Sequence, residues 1–416
     1  MKNFFKLLFL SICGIVNAQI VNIPDVNFKA ALLNYNPAID INNNGEIELN
    51  EAQGVFELNV SYKNILNLEG IQSFSNLTYL NCSSNFFENL DVSQNLSLTS
   101  LHCSNGELSN LNVSQNQSLI NLFCDNNHLT SLDVSENTNL KWLICRINSI
   151  STINVTSLLH LEVFDCSDNF LTNLNLSQNL SLEWLYCSRN LLNELELSNN
   201  SDLEILICGA NQFQNIDLTE NFALRRLGCW NNQLTSLDLT NNINLEELVC
   251  YENEITNLDI SQNHNIESLI CFDNQLINLN LKNSNNIGII QMFAQNNPNL
   301  ECIQVDDVIY ANNQICNEPN GTGWCKDETA SYSESCLISI EDFTTADFKL
   351  FPNPTGNLLN IQSKENIESV KIYSTQGMLV KESSSKTIDV SHLSAGMYFA
   401  QITSNGKNFT KKFLKE

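Results

Sequence analysis

Basic residues are scarce in this chain. Twenty Lys and Arg stand against 46 Asp and Glu, for a formal net charge of -26. A chain so acidic repels nucleic acid and anionic membrane surfaces, so no nucleic-acid partner is expected. Histidine is sparse as well: His102, His128, His160, His264 and His392 lie far apart in sequence. No serine elbow, zinc-binding helix or phosphate loop occurs. The expectation is that the chain is not an enzyme, although a carboxylate pair could hide among so many acids. Beyond the opening segment, no apolar run reaches the roughly 18 residues that a membrane helix needs.

What is present begins with that opening segment. Lys2 and Lys6 supply positive charge, Phe4 to Val16 is largely apolar, and Val16-Asn17-Ala18 offers small-residue cleavage. Residues 1–18 read as a secretory signal peptide, which leaves Gln19 first and the mature protein outside the cytoplasm. The charge is uneven. From Thr344 on there are nine lysines and six acids, 9 − 6 = +3, so the remainder carries −26 − 3 = −29. That asymmetry points to a separate C-terminal domain.

Repeats dominate the middle. Cys82, Cys103, Cys124, Cys145, Cys166, Cys187, Cys208, Cys229, Cys250 and Cys271 are spaced 21 residues apart, and Met292 holds the next position. The unit reads L-x-x-L-x-C-x-x-N-x-L-x-x-L-D-V-S-x-N; "LINLFCDNNHLTSLDVSEN" (Leu119 to Asn137) is a clean copy. Leu, Leu and Cys at spacings of three and two place three side chains inward around a short strand. The Asn at the ninth position marks the turn, and its amide is expected to bond the backbone of adjacent coils. One unit cannot bury its own apolar face, whereas stacked units can. The pattern resembles the leucine-rich-repeat family over residues 77–301. The second half of each unit echoes the first, so the expected fold class is mostly β: a solenoid of 21-residue coils rather than a helix-backed horseshoe.

The cysteines take an inward apolar position. A metal ladder would want close pairs, which are missing here, and parallel in-register side chains point the wrong way to bridge easily. Buried free thiols are expected. The outward positions differ between the two halves. The second half repeats Asp and Asn before Val or Leu, a solvated face. The first half varies: Tyr79, Phe123, Trp142, Arg146, Trp184, Tyr186, Arg226, Trp230, Tyr251, Phe272 and Phe293 flank the inward Leu and Cys. Aromatics with a few Arg are the composition of a recognition surface, for a protein or, by ring stacking, a carbohydrate. Strands also favour aromatics for their own sake.

Residues 19–76 form an N-terminal cap with an irregular first rung: Leu58 to Leu80 is 22 residues. Pro24 to Tyr35 is helix-like, with Val26, Ala30 and Leu33 on one face. Between lies "DINNNGEIELNE", which has the order of an EF-hand calcium loop: Asp40, Asn42, Asn44, the Glu46 carbonyl and Glu51 as ligands, Gly45 at the turn. Against it, Pro37 would break the entering helix, two amides replace carboxylates, and no second loop pairs with it. A weak calcium site and an Asn-Gly turn both remain open.

Residues 302–336 read as a C-terminal cap. Its four cysteines imply disulfides in an exported protein, with three connectivities allowed. The resemblance to exported leucine-rich proteins implies Cys302 with Cys336, and Cys316 with Cys325. Residues 337–347 read as a linker. From Phe348 to Glu416 short strand patterns alternate with Gly and Asn turns, as in a small β-sandwich. "PNP" (Pro352 to Pro354), "IYSTQGMLV" with Gly377, "LSAGMYFAQI" with Gly396 and a lysine-rich end resemble the C-terminal sorting domain of the type IX secretion system of Bacteroidota. That resemblance implies the secretion machinery as a partner, and a protein released or held at the outer cell surface. The function expected is a secreted or surface binding protein. The alternatives are a structural surface protein without a ligand and, least, a hydrolase.

Overall fold

The computed structural model describes residues 19–317, 321–336, 348–363, 366–374, 378–404 and 407–416. The expected signal peptide (1–18), the linker (337–347) and Gly377 lie outside the described residues. The chain forms two compact units, Met1–Ser335 and Cys336–Glu416.

In the first unit every rung contributes a very short strand, because the inward Leu-x-Cys triplet is flanked closely by turns. Thirteen such strands, from Glu57–Asn59 to Gly323–Lys326, make one continuous parallel sheet. The register stacks like on like: Leu58 on Leu80, Leu80 on Leu101, Leu101 on Leu122. The irregular first rung therefore pairs as its 22-residue length requires. Two residues past each ladder cysteine, from Ser84 to Asp273, the backbone turns left-handed with φ between 51 and 57°. Ile147, Arg189 and Glu252 take that conformation at a cost of about 1 kcal/mol or more each. The neighbouring Asn offsets it. Asn127 donates from Nδ2 to the Cys103 and Cys124 carbonyls at 3.0 and 3.1 Å and accepts the Leu108 N–H at 3.0 Å, tying one rung to the one before.

A second asparagine ladder closes the other half of the coil. Asn116 Nδ2 donates to the carbonyls of Val92 and Asn95 at 2.9 and 3.0 Å, and its buried Oδ1 has no hydrogen-bond partner among the described residues. Leu158 replaces this Asn in one rung and is fully buried. Among the described residues, the second half of the coil forms a strand ladder only toward the C-terminal end, where Asn257–Asp259, Asn278–Asn280, Cys302–Gln304 and Ser331–Ser333 make a four-stranded sheet.

Two expectations need correction. Met292 does not continue the cysteine column. It pairs with Leu269, and the buried Ala294 stands two residues on, where Cys271 does in its rung. The rung before it is longer because the segment around the 3-10 turn Asn286–Gly288 adds two residues. In the cap, helix α1 (Val26–Leu33) buries Phe28 and Leu32, while Val26 is 78% exposed. Asp25 caps it by accepting the N–H groups of Asn27 and Phe28, and its other oxygen accepts those of Leu66 and Asn67 in the first rung. This double use of Asp25 sets the face that turns inward.

The second unit has its own core. Lys349–Phe351, Leu358–Gln362 and Thr387–Asp389 form a three-stranded antiparallel sheet. Ser369–Ser374, Leu379–Ser383, Gly396–Ser404 and Lys407–Lys415 form a four-stranded one. Leu359, Ile361, Val370, Ile372, Ile388, Ala400 and Ile402 pack between them.

Candidate recognition face

The long sheet places the expected site residues in three outward columns. Tyr79, Trp142, Trp184 and Arg226 open their strands; Phe123 and Tyr186 close theirs. Arg146, Trp230, Tyr251 and Phe272 each follow a ladder cysteine. Phe293 pairs with Ile270 and so joins the second column.

These residues do not form one continuous patch. Tyr79 and Phe123 are joined through His102, at ring-centroid distances of 5.1 and 4.3 Å. Desolvation lowers the pKa of that imidazole. Trp142 and Trp184 meet edge to face at 6.0 Å on either side of Val163, which they leave only 5% exposed. Trp230, Tyr251 and Phe272 form a third group, stacked at 6.2 and 4.6 Å with planes 16 and 9° apart.

Several members have structural duties that composition does not show. The Trp230 indole lies over Gly209 and Gly228: a Cβ on either glycine would come within 2.3 and 2.5 Å of the ring. Arg226 is held by Glu247 at 2.7 Å, and Arg146 approaches Asp165 at 3.8 Å. Asp165 was not among the expected site residues. It is a buried carboxylate in the middle of the face, accepting the Ser167 N–H at 3.0 Å. Burial raises its pKa despite that bond and Arg146. Its only signal in sequence is that it is the one acid at a strand position that otherwise carries uncharged side chains or His102. His102, Gly209 and Gly228 are the other residues that composition passed over.

The repetitive second-half row has a local cause. Asp133 accepts the Ser135 N–H at 3.0 Å, Asp217 that of Thr219 and Asp238 that of Thr240, also at 3.0 Å. Each acid or amide closes its own turn, and the Ser or Thr hydroxyl together with that N–H lowers the pKa of Asp217, Asp133 and Asp238.

The loop from Asp40 to Glu51 is closed by its own N–H groups. Asp40 accepts from Asn44 and Gly45, and Glu51 from Ile41 and Glu48. The amides of Asn42 and Asn44 donate to Glu48 at 3.0 and 2.6 Å, and the Glu46 side chain pairs with Lys29 at 2.6 Å. Helix α1 ends at Leu33, well before the loop, and helix α2 (Leu49–Ala52) is a single turn, so two helices do not frame it. Among the described residues, no three His, Cys, Asp or Glu side chains are grouped to hold a metal ion. Farther on, Cys316 and Cys325 form a disulfide, and Cys302 and Cys336 are also disulfide-bonded. The ten ladder cysteines are free and buried.

Residues 349–416 match the family described as Secretion system C-terminal sorting domain. No curated protein matches the chain. Among solved structures it is similar to the functional domain of InlJ from Listeria monocytogenes, which includes a cysteine ladder. The identity is 22%, with 96% of this chain and 99% of that one covered and a TM-score of 0.53. It is also similar to a leucine-rich-repeat protein of Leptospira interrogans, at 20% identity, 62% and 75% coverage and a TM-score of 0.52. The fold is a leucine-rich-repeat solenoid, and the chain carries a type IX sorting tail that directs it to the cell surface or into the medium. Among the described residues, no helix is long and apolar enough to cross a membrane.

Proposed function

We propose that this exported leucine-rich-repeat protein is a binding or adhesion module that takes up a protein or glycan partner on the varied face of its long sheet. One observation carries the reading. The outward positions of the long sheet change from rung to rung, while the second-half row repeats one turn-closing residue type. Solvation and solenoid stability alone would be served by repetition on both sides. The histidines give no support to a catalytic role, since His102, His128 and His264 stand on separate rungs and bond Ser100, Glu107 and Asn283.

The test is a protein and glycan array probed with the full chain. Its variants are Trp142→Ala with Tyr186→Ser on the varied face, and Asp217→Asn, which keeps the turn acceptor, on the second-half row. Loss of the captured partner in the first variant alone is expected. Equal binding by both would overturn the assignment of the face.

For the N-terminal loop, calcium remains a proposal. An ion there would compete with the N–H groups of Asn44 and Gly45 for Asp40 and with those of Ile41 and Glu48 for Glu51, so its net stabilisation is what remains after that competition. A small rise in melting temperature at millimolar calcium over EDTA is expected; coincident curves make the loop an Asn-Gly turn.

A further inference from the structure

We infer that the partner is a polypeptide with an apolar centre and lysine or arginine at its flanks, laid across the C-terminal half of the varied face. The inference rests on that face being the recognition surface.

The first support is what the rings offer. Rungs of a parallel sheet repeat about every 4.8 Å, close to the separation at which aromatic rings stack. The rings therefore stack on one another. Tyr251 and Phe272 lie 4.6 Å apart with planes 9° apart, and His102 and Phe123 lie 4.3 Å apart at 16°. Each of these four rings has one face engaged by its neighbour along the solenoid. A sugar docks its C–H groups on a free ring face, so these stacked pairs offer it less than separate rings would.

The second is the strip beside them. Ile207, Val249, Ile270 and Phe293 occupy the third position of their strands in register, all half-buried and without charge. Gly228 interrupts the column, and Trp230 covers it. From Tyr186 to Phe293 the strip crosses six strands, about 24 Å. That suits a strand-like segment of roughly seven residues.

The third is the rim. Arg225 is held between Glu204 and Glu246, at 3.8 and 3.0 Å, and Arg226 sits on Glu247. Neither is left to meet a partner. Exposed Glu183 and Glu267 lie just before the strands, and exposed Glu252 and Asp273 lie beyond their ends. None of these four forms an ion pair among the described residues. Arg189, paired with Asp168 at 3.5 Å, stands at the Tyr186 end; from there on each rim carries two unpaired carboxylates, which attract a cationic segment and repel an acidic one.

The experiment uses the full chain and three synthetic dodecapeptides with one alternating Leu/Val centre, flanked by Lys, Ser or Glu, alongside a glycan array. The Lys-flanked peptide is expected to bind at least tenfold tighter than the Ser-flanked one, and the Glu-flanked one not to bind. Salt should narrow the difference. Ile207→Lys should abolish binding with an unchanged melting curve, and Glu183→Lys with Glu267→Lys should shift preference toward the Glu-flanked peptide. No charge ranking, or no binding by any peptide, overturns the inference. Glycan capture abolished by Ile207→Lys keeps the face and overturns the polypeptide. Lys-peptide binding that survives Ile207→Lys overturns the face itself.

Discussion

Trp230 fills the space in which a side chain at Gly209 would stand: an added Cβ would lie 2.3 Å from the indole Cδ2 and Cε2 atoms. Ring and glycine belong to successive rungs, 21 residues apart, and each defines the other's position. Gly209→Ala must therefore evict the indole. A loss of about 1–3 kcal/mol is expected, as for overpacking generally. Denaturant unfolding should report the loss, and a red shift of tryptophan emission should show the ring entering water. An unshifted emission spectrum would mean that the ring is not seated there.

The buried thiols make the solenoid sensitive to alkali. Desolvation pushes Cys187, Cys229 and Cys271 up to about 12 from an ordinary value of 9.0, and raises the other ladder thiols too. The folded state thus holds protons that the unfolded state releases. The stability linked to these thiols is fully present below pH 9 and is lost as pH rises toward the folded values. The melting temperature should fall steeply above pH 9, and Cys229→Ala should make that fall shallower. In the native protein at pH 8 a thiol reagent should find the ladder unreactive; denaturation should release all ten.

The two asparagine ladders should respond differently to truncation. Asn169 donates to the Cys145 and Cys166 carbonyls, both at 3.1 Å, and accepts the Ile150 N–H at 2.9 Å. Asn169→Ala orphans a buried N–H as well as carbonyls, at an expected loss on the order of 3 kcal/mol. Asn179 donates at 2.9 and 2.8 Å, but its Oδ1 serves no donor. Asn179→Ala should therefore be milder, by about 1 kcal/mol. Chemical unfolding of both variants checks the order.

Asp165 is a carboxylate kept where water is scarce. Burial raises its pKa above 3.8, so the folded state binds its proton more tightly than the unfolded chain does. That stabilisation is fully present below the unfolded value and is lost as pH rises through the folded one. Asp165→Asn keeps the acceptor for the Ser167 N–H and removes the buried charge. It should melt higher than the parent at pH 7, with the gain gone by pH 3. An equal gain at both would place the effect in packing.

Much of this architecture was legible because it is local and periodic. The 21-residue spacing, the inward Leu and Cys and the ninth-position Asn each follow from steric and hydrogen-bonding needs inside one coil, repeated without change. The sorting tail was legible as a set of turn and strand patterns. The calcium ligand set was legible only as an order of residues. In the structure its Asp40 and Glu51 carboxylates accept N–H groups of the loop itself.

The amino-acid order by itself determined which side chains face in, which face out and where each coil turns, since strand alternation and turn chemistry act over a few residues. Tertiary structure alone decided what the outward side chains became. Whether Trp230 projects or lies down depends on glycines in its own and the preceding rung, and whether Tyr251 offers a face or an edge depends on Phe272. The column position of Ala294 depends on where two inserted residues bulge. Apart from Gly228, two residues from Trp230, the partners stand about 21 residues apart, and stacking of the rungs is what brings them together.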